Sequence, residues 1–171
     1  MIMLVVPSIE YKISFLEAIK EFQEDGLFTD LNIADLEKDL PAFIAKQINH
    51  SQGKDLPEGF VAETIYWLVD NDEIIGRAVI RHELTETLLR EGGHIGYAIK
   101  PSKRKKGYGT EILKLALEKA GGLGLKKVLL TCNENNFGSK KIIESSGGIF
   151  QDRIFLQEGK PWKLRYWIYL T

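Results

Sequence analysis

Hydrophobic residues recur along the chain at two spacings, which predict a series of strands and helices. Short apolar runs predict strands, whereas apolar residues at every third or fourth position predict helices. A strand at residues 1–6 is therefore followed by an amphipathic helix within residues 9–24. A second amphipathic segment spans residues 36–48, and Asn32 or Asp35 would cap its N-terminus.

The centre of the chain predicts a β-hairpin. Two strand-like runs, Val61–Asp70 and Glu73–Leu84, flank the two-residue connection Asn71-Asp72, a length typical of a tight antiparallel turn. The other predicted elements are a helical turn at residues 85–91, strands at 94–100, 127–132, 149–157 and 162–170, and helices at 107–120 and 138–145. This order, in which hairpins flank strands joined by helices, predicts an α/β or α+β fold with a mixed sheet.

Length and composition narrow the class of protein. With 171 residues, 44% of them hydrophobic, the chain has the size of one globular domain spanning residues 1–171. No apolar run approaches the roughly 20 residues that cross a membrane, so we expect no membrane partner. Cys132 is the single cysteine, which excludes an internal disulfide and a cysteine-based metal cluster. We expect a cytoplasmic protein.

Charge is distributed unevenly, although the net charge is only −1. Residues 1–98 carry 18 acidic and 8 basic side chains, whereas residues 99–171 carry 6 acidic and 15 basic ones. This asymmetry indicates either two regions that meet differently charged ligands or surfaces that are merely uneven and solvated.

The segment Lys103–Thr110 has the sequence of a phosphate-binding loop. Four consecutive cations, Lys103 to Lys106, precede Gly107 and Gly109 between a predicted strand and a predicted helix. Free amides at a helix N-terminus bind phosphate, and glycines let the backbone approach it. The nucleoside-triphosphatase motif is absent, as is the third glycine of the dinucleotide fingerprint. The competing interpretation is a solvated basic turn that caps a helix.

The sequence around this loop resembles the GNAT N-acetyltransferase superfamily. The run Arg-Lys-Lys-Gly-Tyr-Gly at residues 104–109 is similar to its Gln/Arg-x-x-Gly-x-Gly/Ala signature. Gly93–Pro101 resembles its fourth strand, and Thr131–Ser139 resembles its fifth strand and following turn. Within the superfamily, the chain resembles a branch of predicted bacterial acetyltransferases. The resemblance implies a mixed, mostly antiparallel sheet of six to seven strands, with a splayed central strand pair and helices on both faces.

The resemblance also implies a donor substrate, acetyl-CoA, and no metal. The pantetheine arm would lie between the splayed strands and pair with strand backbone, while loop amides would hold the pyrophosphate. The residues that the resemblance places on this cofactor are Tyr97, Ala98, Ile99, Arg104, Lys105, Lys106, Gly107, Tyr108, Gly109, Thr110, Asn133, Asn136 and Ser139.

The implied chemistry is direct attack of an amine on the thioester. A strand amide near Ile99 would stabilise the developing oxyanion. The family commonly supplies a tyrosine as general acid seven residues after the asparagine, but Ile143 occupies that position here. Another side chain or solvent then protonates the thiolate, or it leaves unaided, since a thiol has a pKa of about 8.5.

For the general base, His94 is the first candidate because an unperturbed histidine titrates near neutral pH. It begins the strand along which the thioester is expected, although a histidine that only orients the preceding loop is an equal alternative. Glu91 is the second candidate, and its role depends on the position of its loop. His82 and Glu83 lie on the neighbouring strand, where only one of them can face the site.

The acceptor is less well determined than the donor. Acidic residues in and around the first two helices would attract a cationic amine: Glu24, Asp25, Asp30, Asp35, Glu37 and Asp39. We therefore expect a primary amine, either a small amine, an amino acid or a peptide amino group. A solvated acidic helix face explains the cluster equally well.

Two other functions are compatible with parts of the sequence. The chain is an acyl-CoA-binding module without catalysis if nothing replaces the tyrosine missing at Ile143. A nucleic-acid-binding domain using Lys103–Lys106 is disfavoured, because the pI is about 6.3 and no binding motif is present. The chain would act as a monomer or a homodimer.

Overall fold

The computed structural model describes all residues from Met1 to Thr171 and contains seven strands and six α-helices. The strands are β1 (Ile2–Val5), β2 (Glu63–Asp70), β3 (Glu73–Arg81), β4 (Ile95–Ile99), β5 (Lys127–Asn133), β6 (Ile149–Ile154) and β7 (Lys163–Tyr169). The helices are α1 (Lys12–Glu24), α2 (Ile33–Lys38), α3 (Leu40–Ser51), α4 (Glu86–Arg90), α5 (Tyr108–Gly122) and α6 (Phe137–Ser145). None of the helices has the length and apolar character needed to cross a membrane.

The second amphipathic segment forms two helices, so the prediction of a single element was wrong. Asn32 caps α2, its side chain accepting from the amide of Asp35 at 3.0 Å. A new cap follows at Asp39, which accepts from the amide of Ala42 at 3.1 Å and starts α3. Pro41 sits in the first turn of α3, where its missing amide breaks no helical hydrogen bond.

Helix α5 ends later than its sequence predicts. Gly121 and Gly122 both lie inside the helix, which stops before Gly124. Gly124 has a φ of 90°, and the amide of Leu125 returns to the carbonyl of Ala120. A glycine in the left-handed conformation just past the last turn is a common helix terminator, and here it outweighs the two glycines before it.

The strands form two antiparallel sheets, with the order β1-β2-β3-β4 in one and β5-β7-β6 in the other. The β2–β3 hairpin turns at Asn71 and Asp72, whose φ values of 49° and 65° fit a two-residue type I′ turn. Strands β4 and β5 are the facing edges of the two sheets. The predicted α/β fold with a splayed central strand pair is thereby confirmed.

The two sheets are joined at a short seam, formed by Gly93 and His94 on one side and Leu129 on the other. The amide of His94 donates to the Leu129 carbonyl at 2.8 Å, and the amide of Leu129 donates to His94 Nδ1 at 2.9 Å. Gly93 has a φ of 61°, and a Cβ at this position would overlap with the Leu129 carbonyl oxygen. The seam therefore requires glycine, and beyond it the sheets separate.

Helices cover both faces of the fold, as predicted. On one face, α1, α2 and α3 pack against the first sheet, where Phe15 stacks on the fully buried Trp67 with ring centroids 4.3 Å apart. On the other face, Ile112 and Leu113 of α5 enter a core shared by both sheets. Helix α5 packs against β4 and β3 of the first sheet and against α6, and its first turn lies beside β4, at the edge where the two sheets separate.

Candidate functional site

A cleft of about 660 Å³, here called the donor cleft, lies where β4, α5 and α6 meet. Its walls are β4 residues Tyr97–Ile99, loop residues Arg104 and Lys105, and the first turns of α5 and α6. Nearly all residues that the sequence assigned to a cofactor are therefore brought together in one place.

The loop that enters α5 presents a run of unused backbone donors. The amides of six successive residues, Lys105 to Thr110, donate to no group of the protein, and the first helical bond runs from Glu111 to the carbonyl of Gly107. Their position at the N-terminus of a 15-residue helix adds partial positive charge. Such a surface binds anions, and phosphate oxygens in particular.

Glycine is needed at two points of this loop, for different reasons. Gly107 has a φ of 86°, and no atom lies within 4 Å of the place that a Cβ would take, so its role is conformational. At Gly109 a Cβ would lie 2.7 Å from Cδ1 of Ile142 on α6, so any side chain there would displace the tip of Ile142. The first glycine shapes the amide nest, and the second lets α5 and α6 approach each other.

Three of the four cations predicted to supplement these amides are used elsewhere. Arg104 donates to the carbonyl of Ile99 and pairs with Asp25 at 2.7 Å. Lys103 pairs with Glu73 at 2.7 Å. Lys106 donates to a backbone carbonyl at 3.1 Å and does not line the donor cleft. Lys105 alone lines the cleft without a protein partner.

The Tyr108 side chain also points away from the cleft. Its hydroxyl donates to Asp70 at 2.8 Å, and this contact raises the pKa of Tyr108. The sequence assignment of Tyr108 and Lys106 to the cofactor is therefore limited to their backbone amides.

Much of the charge asymmetry is neutralised inside the molecule. Lys100 and Lys103 from the basic half flank Glu73 of the acidic half and hold the pKa of that carboxyl below its usual value. Arg104 reaches Asp25 across the chain in the same way. These ion pairs fasten the loop before α5 to α1 and β3. Two surfaces that meet differently charged ligands stay a prediction.

Strand β4 has one edge without a strand partner. The amide of Lys100 donates to Ile75 of β3, and backbone groups of a strand alternate in direction. Those of Ala98 therefore face β3, whereas those of Tyr97 and Ile99 face β5. The free edge of β4 thus offers the backbone groups of Tyr97 and the amide of Ile99 to an extended ligand, because the Ile99 carbonyl already accepts from Arg104. It does not offer Ala98.

A second cleft of about 340 Å³, here called the gap, passes through the sheet between β4 and β5. By strand alternation, Tyr97 and Cys132 lie at its inner mouth beneath α5, whereas Asn133 and Lys163 lie at its outer mouth. Tyr97, Asn136 and Ser139 line both the gap and the donor cleft. A ligand can thus extend from the donor cleft into the gap.

The Tyr97 hydroxyl is buried at this junction and has no hydrogen-bond partner. Burial raises the pKa of Tyr97 to about 12, with a smaller opposing influence of Ser139. The phenol is therefore protonated at neutral pH and has an unused proton to donate. Ile143, which stands where the family commonly has its tyrosine, lines the same gap. The Tyr97 side chain on β4 therefore faces the same space as the side chain at position 143.

The two asparagines assigned to the cofactor differ in position. Asn136 caps α6, accepting from the amide of Ser139 at 3.1 Å, and lines the donor cleft. Asn133 accepts from the ammonium of Lys163 at 2.7 Å and lines only the gap. Asn136 therefore lies beside any ligand in the donor cleft, whereas Asn133 orients Lys163.

Glu91 is the one carboxylate that lines the gap. It pairs with Lys163 at 3.3 Å, and its side chain is 52% exposed, whereas that of Lys163 is 11% exposed. The loop after α4 places Glu91 beside Lys163 at the outer mouth of the gap. The sequence alone did not predict the position of this loop.

His94 lies outside both clefts, in contrast to its expected position beside the thioester. Its Nδ1 accepts from Leu129 at the seam, its ring contacts Trp167 edge-on at 6.3 Å, and burial lowers its pKa. His82 bonds Thr64 at 2.8 Å and lines neither cleft. This geometry is consistent with the alternative considered from the sequence, a histidine that orients the preceding loop, and the role of general base for His94 stays a prediction.

A third cavity of about 390 Å³, here called the α1–α3 cavity, lies between helices α1 and α3 and the face of β2 and β3 against which they pack. Phe15, Phe28 and Phe43 line it together with Arg77. Of the acidic residues predicted to surround an acceptor, only Asp30 reaches it. Sequence patterns gave no signal for Arg77 or Lys163, because each lies in a strand where alternation marks it as an ordinary surface position.

The family comparison agrees with this geometry. The model of the family described as "Acetyltransferase (GNAT) domain" matches residues 31–149 of the chain. A comparison with curated proteins finds no match.

Solved structures with the same fold include several acetyltransferases. The microcin C7 self-immunity acetyltransferase MccE, in complex with acetyl-CoA and AMP, has a TM-score of 0.70 and 16% identity over 99% of this chain and 92% of that one. Mycobacterium smegmatis RimJ, in complex with CoA-disulfide, has a TM-score of 0.72 and 15% identity over 98% and 81%. A Salmonella typhimurium enzyme that modifies the N-terminal serine of a 50S ribosomal subunit protein has a TM-score of 0.68 and 12% identity, over 99% of this chain and 95% of that one.

Proposed function

The chain belongs to the GNAT acetyltransferase family, and we propose that it transfers an acetyl group from acetyl-CoA to a primary amine by direct attack. The observation that carries this proposal is the run of six free amides, Lys105 to Thr110, beside an open gap between two sheets. A diphosphate and an extended arm fit these two features in the order in which CoA presents them.

The donor cleft and the gap divide the work of binding. The amides of residues 105–110 and the ammonium of Lys105 would hold the pyrophosphate. The free backbone edge of β4 at Tyr97 and Ile99 would pair with the amide groups of the pantetheine arm. Asn136 and Ser139 line both clefts, where the arm would turn into the gap. The thioester would then lie beside the Tyr97 hydroxyl, at the inner mouth of the gap.

We assign the proton transfers to two residues of the gap. As the amine nitrogen bonds to the carbonyl carbon, Glu91 accepts a proton from it, directly or through water. The amide of Ile99 or Tyr97 donates to the oxyanion. When the carbon–sulfur bond breaks, the sulfur keeps the electron pair and takes the proton of the Tyr97 hydroxyl, which regains one from solvent.

A thiol-release assay with a broad panel of amines tests the proposed function, together with calorimetry of acetyl-CoA binding. We expect saturable binding and release of free CoA with at least one amine. Tight binding without release by any amine would favour the acyl-CoA-binding module. Absence of saturable binding would contradict both functions.

Replacing Tyr97 by phenylalanine is expected to lower kcat about 100-fold, the lower end of the range in which general acids contribute. The affinity for acetyl-CoA should change little, because the hydroxyl has no hydrogen-bond partner in the protein. Tyr66→Phe is the matched control, since Tyr66 is a buried tyrosine of β2 outside both clefts. With the acetyl selenoester of seleno-CoA, whose selenolate leaving group needs no proton, the Tyr97→Phe defect should shrink. An equal defect with both donors would indicate a structural role.

The two base candidates are separated by Glu91→Gln and His94→Asn. Glu91→Gln should lower kcat at least tenfold at pH 7, whereas His94→Asn should keep most of the turnover, because asparagine preserves a hydrogen-bonding group near Nδ1. Initial rates across pH 5.5–9 measure both effects. A loss of turnover confined to His94→Asn, at unchanged stability, would return the role of base to His94.

A further inference from the structure

The α1–α3 cavity contains polar groups that the protein leaves without partners. Gln47 Oε1 and His50 Nε2, one turn apart on α3, are shielded from solvent and make no hydrogen bond. Both residues line the cavity. Buried polar atoms in native proteins almost always have a partner, so unpaired ones around a cavity point to a ligand that completes them.

Arg77 faces the same cavity and is also without a hydrogen bond or an ion pair. Its guanidinium lies over the ring of Phe28, 4.7 Å from the centroid, and burial lowers its pKa. The negative charges of Glu63 and Asp30 raise the pKa of Arg77 by a smaller amount. Glu63 itself lies 3.7 Å from Arg81, with which it pairs. A partly buried guanidinium with unused donors is suited to a planar anion bound by two parallel hydrogen bonds.

The cavity is within reach of the gap. Arg77 of β3 pairs with Ala98 of β4, and β4 borders the gap. Neighbouring strands lie about 4.8 Å apart, so the two sites are separated by roughly two strand spacings, ~10 Å. Gly96, which pairs with Val79 between them, has no side chain to obstruct a ligand on this face.

We propose that the α1–α3 cavity selects acceptors that carry a carboxylate, which Arg77 binds while the amine reaches the gap. The three phenylalanines that line the cavity favour an aromatic or other apolar body between the two groups. A monoanion suits the cavity better than a phosphate dianion, because Asp30 and Glu63 line it as well. This inference rests on the proposed function, whose acceptor it specifies.

A matched set of amines tests the inference by the thiol-release assay. The set comprises 4-(aminomethyl)benzoate, its carboxamide, benzylamine and the corresponding phosphonate. We expect kcat/KM for the carboxylate to exceed that of each other amine at least tenfold. Arg77→Gln should remove this preference, whereas Lys46→Gln, which removes an exposed charge at the same cavity, should preserve it.

Binding measured without acetyl-CoA separates this inference from the proposed function. Calorimetry with 4-(aminomethyl)benzoate should show saturable binding to the wild type, weaker binding to Arg77→Lys and none to Arg77→Gln. If this pattern holds but no amine releases CoA, the proposed function fails and the carboxylate site stands. If amines turn over without preference for the carboxylate, or the phosphonate is preferred, the inference is overturned while the proposed function stands. Because the wild-type preference needs no variant, misfolding of Arg77→Gln does not remove the test.

Discussion

Replacing Gly107 by aspartate should weaken acetyl-CoA binding at least 100-fold, or about 2.8 kcal/mol at 1.4 kcal/mol per tenfold change. The new carboxylate would stand among the six free amides and repel the pyrophosphate that they would bind. No atom lies within 4 Å of a Cβ at this position, so the substitution perturbs the site without overpacking the core. Calorimetric titration with acetyl-CoA measures the loss.

Gly124→Asp provides the matched control for Gly107→Asp. Gly124 follows the other end of the same helix, with a φ of 90° and equally open surroundings. Both variants should lose a similar, small amount of stability from a side chain in a left-handed conformation, about 1 kcal/mol. Only Gly107→Asp should lose binding. Equal affinity of the two variants for acetyl-CoA would mean that the loop does not bind the donor.

Replacing Gly93 by alanine should destabilise the protein by about 2–4 kcal/mol, which combines ~1–3 kcal/mol for overpacking with ~1 kcal/mol for a side chain in the left-handed conformation. The added Cβ would overlap with the Leu129 carbonyl oxygen at the seam, which cannot move without breaking its bond to the His94 amide. Urea unfolding followed by circular dichroism measures the change.

The control for Gly93→Ala is Gly147→Ala, since Gly147 has a φ of 92° and open space around its Cβ. It isolates the cost of the left-handed conformation, about 1 kcal/mol. A similar midpoint for both variants would mean that the seam yields to the methyl group and is not tightly packed.

Elements were predictable from sequence where local spacing decides the structure. The β2–β3 hairpin was predicted because Asn71-Asp72 tolerates positive φ, and the N-terminus of α5 because Gly107 and Gly109 mark it. The break at Asp39 was missed because a cap and a proline interrupt an otherwise continuous hydrophobic spacing. In that segment the capping residue and the proline set the start of α3, and the spacing of apolar residues does not.

Partners distant in the chain were beyond this kind of prediction. The cations of the loop were expected to face phosphate, but Arg104 pairs with Asp25, 79 residues away. His94 was expected to act as a base, but its ring nitrogen is engaged by Leu129, 35 residues away. The unpaired hydroxyl of Tyr97 is visible only once α6 is placed beside β4. Composition and periodicity carry no information about such pairings.

The division of the strands into two sheets has a consequence for how the site comes into being. The first sheet is built entirely from residues 2–99 and the second from residues 127–169. Each sheet can therefore pair its own strands from contiguous chain, and the N-terminal one emerges first from the ribosome. The gap belongs to neither unit and arises only when they dock. A ligand that spans the gap can consequently bind only after the two sheets have docked, so we expect no such binding by chains that end before β5.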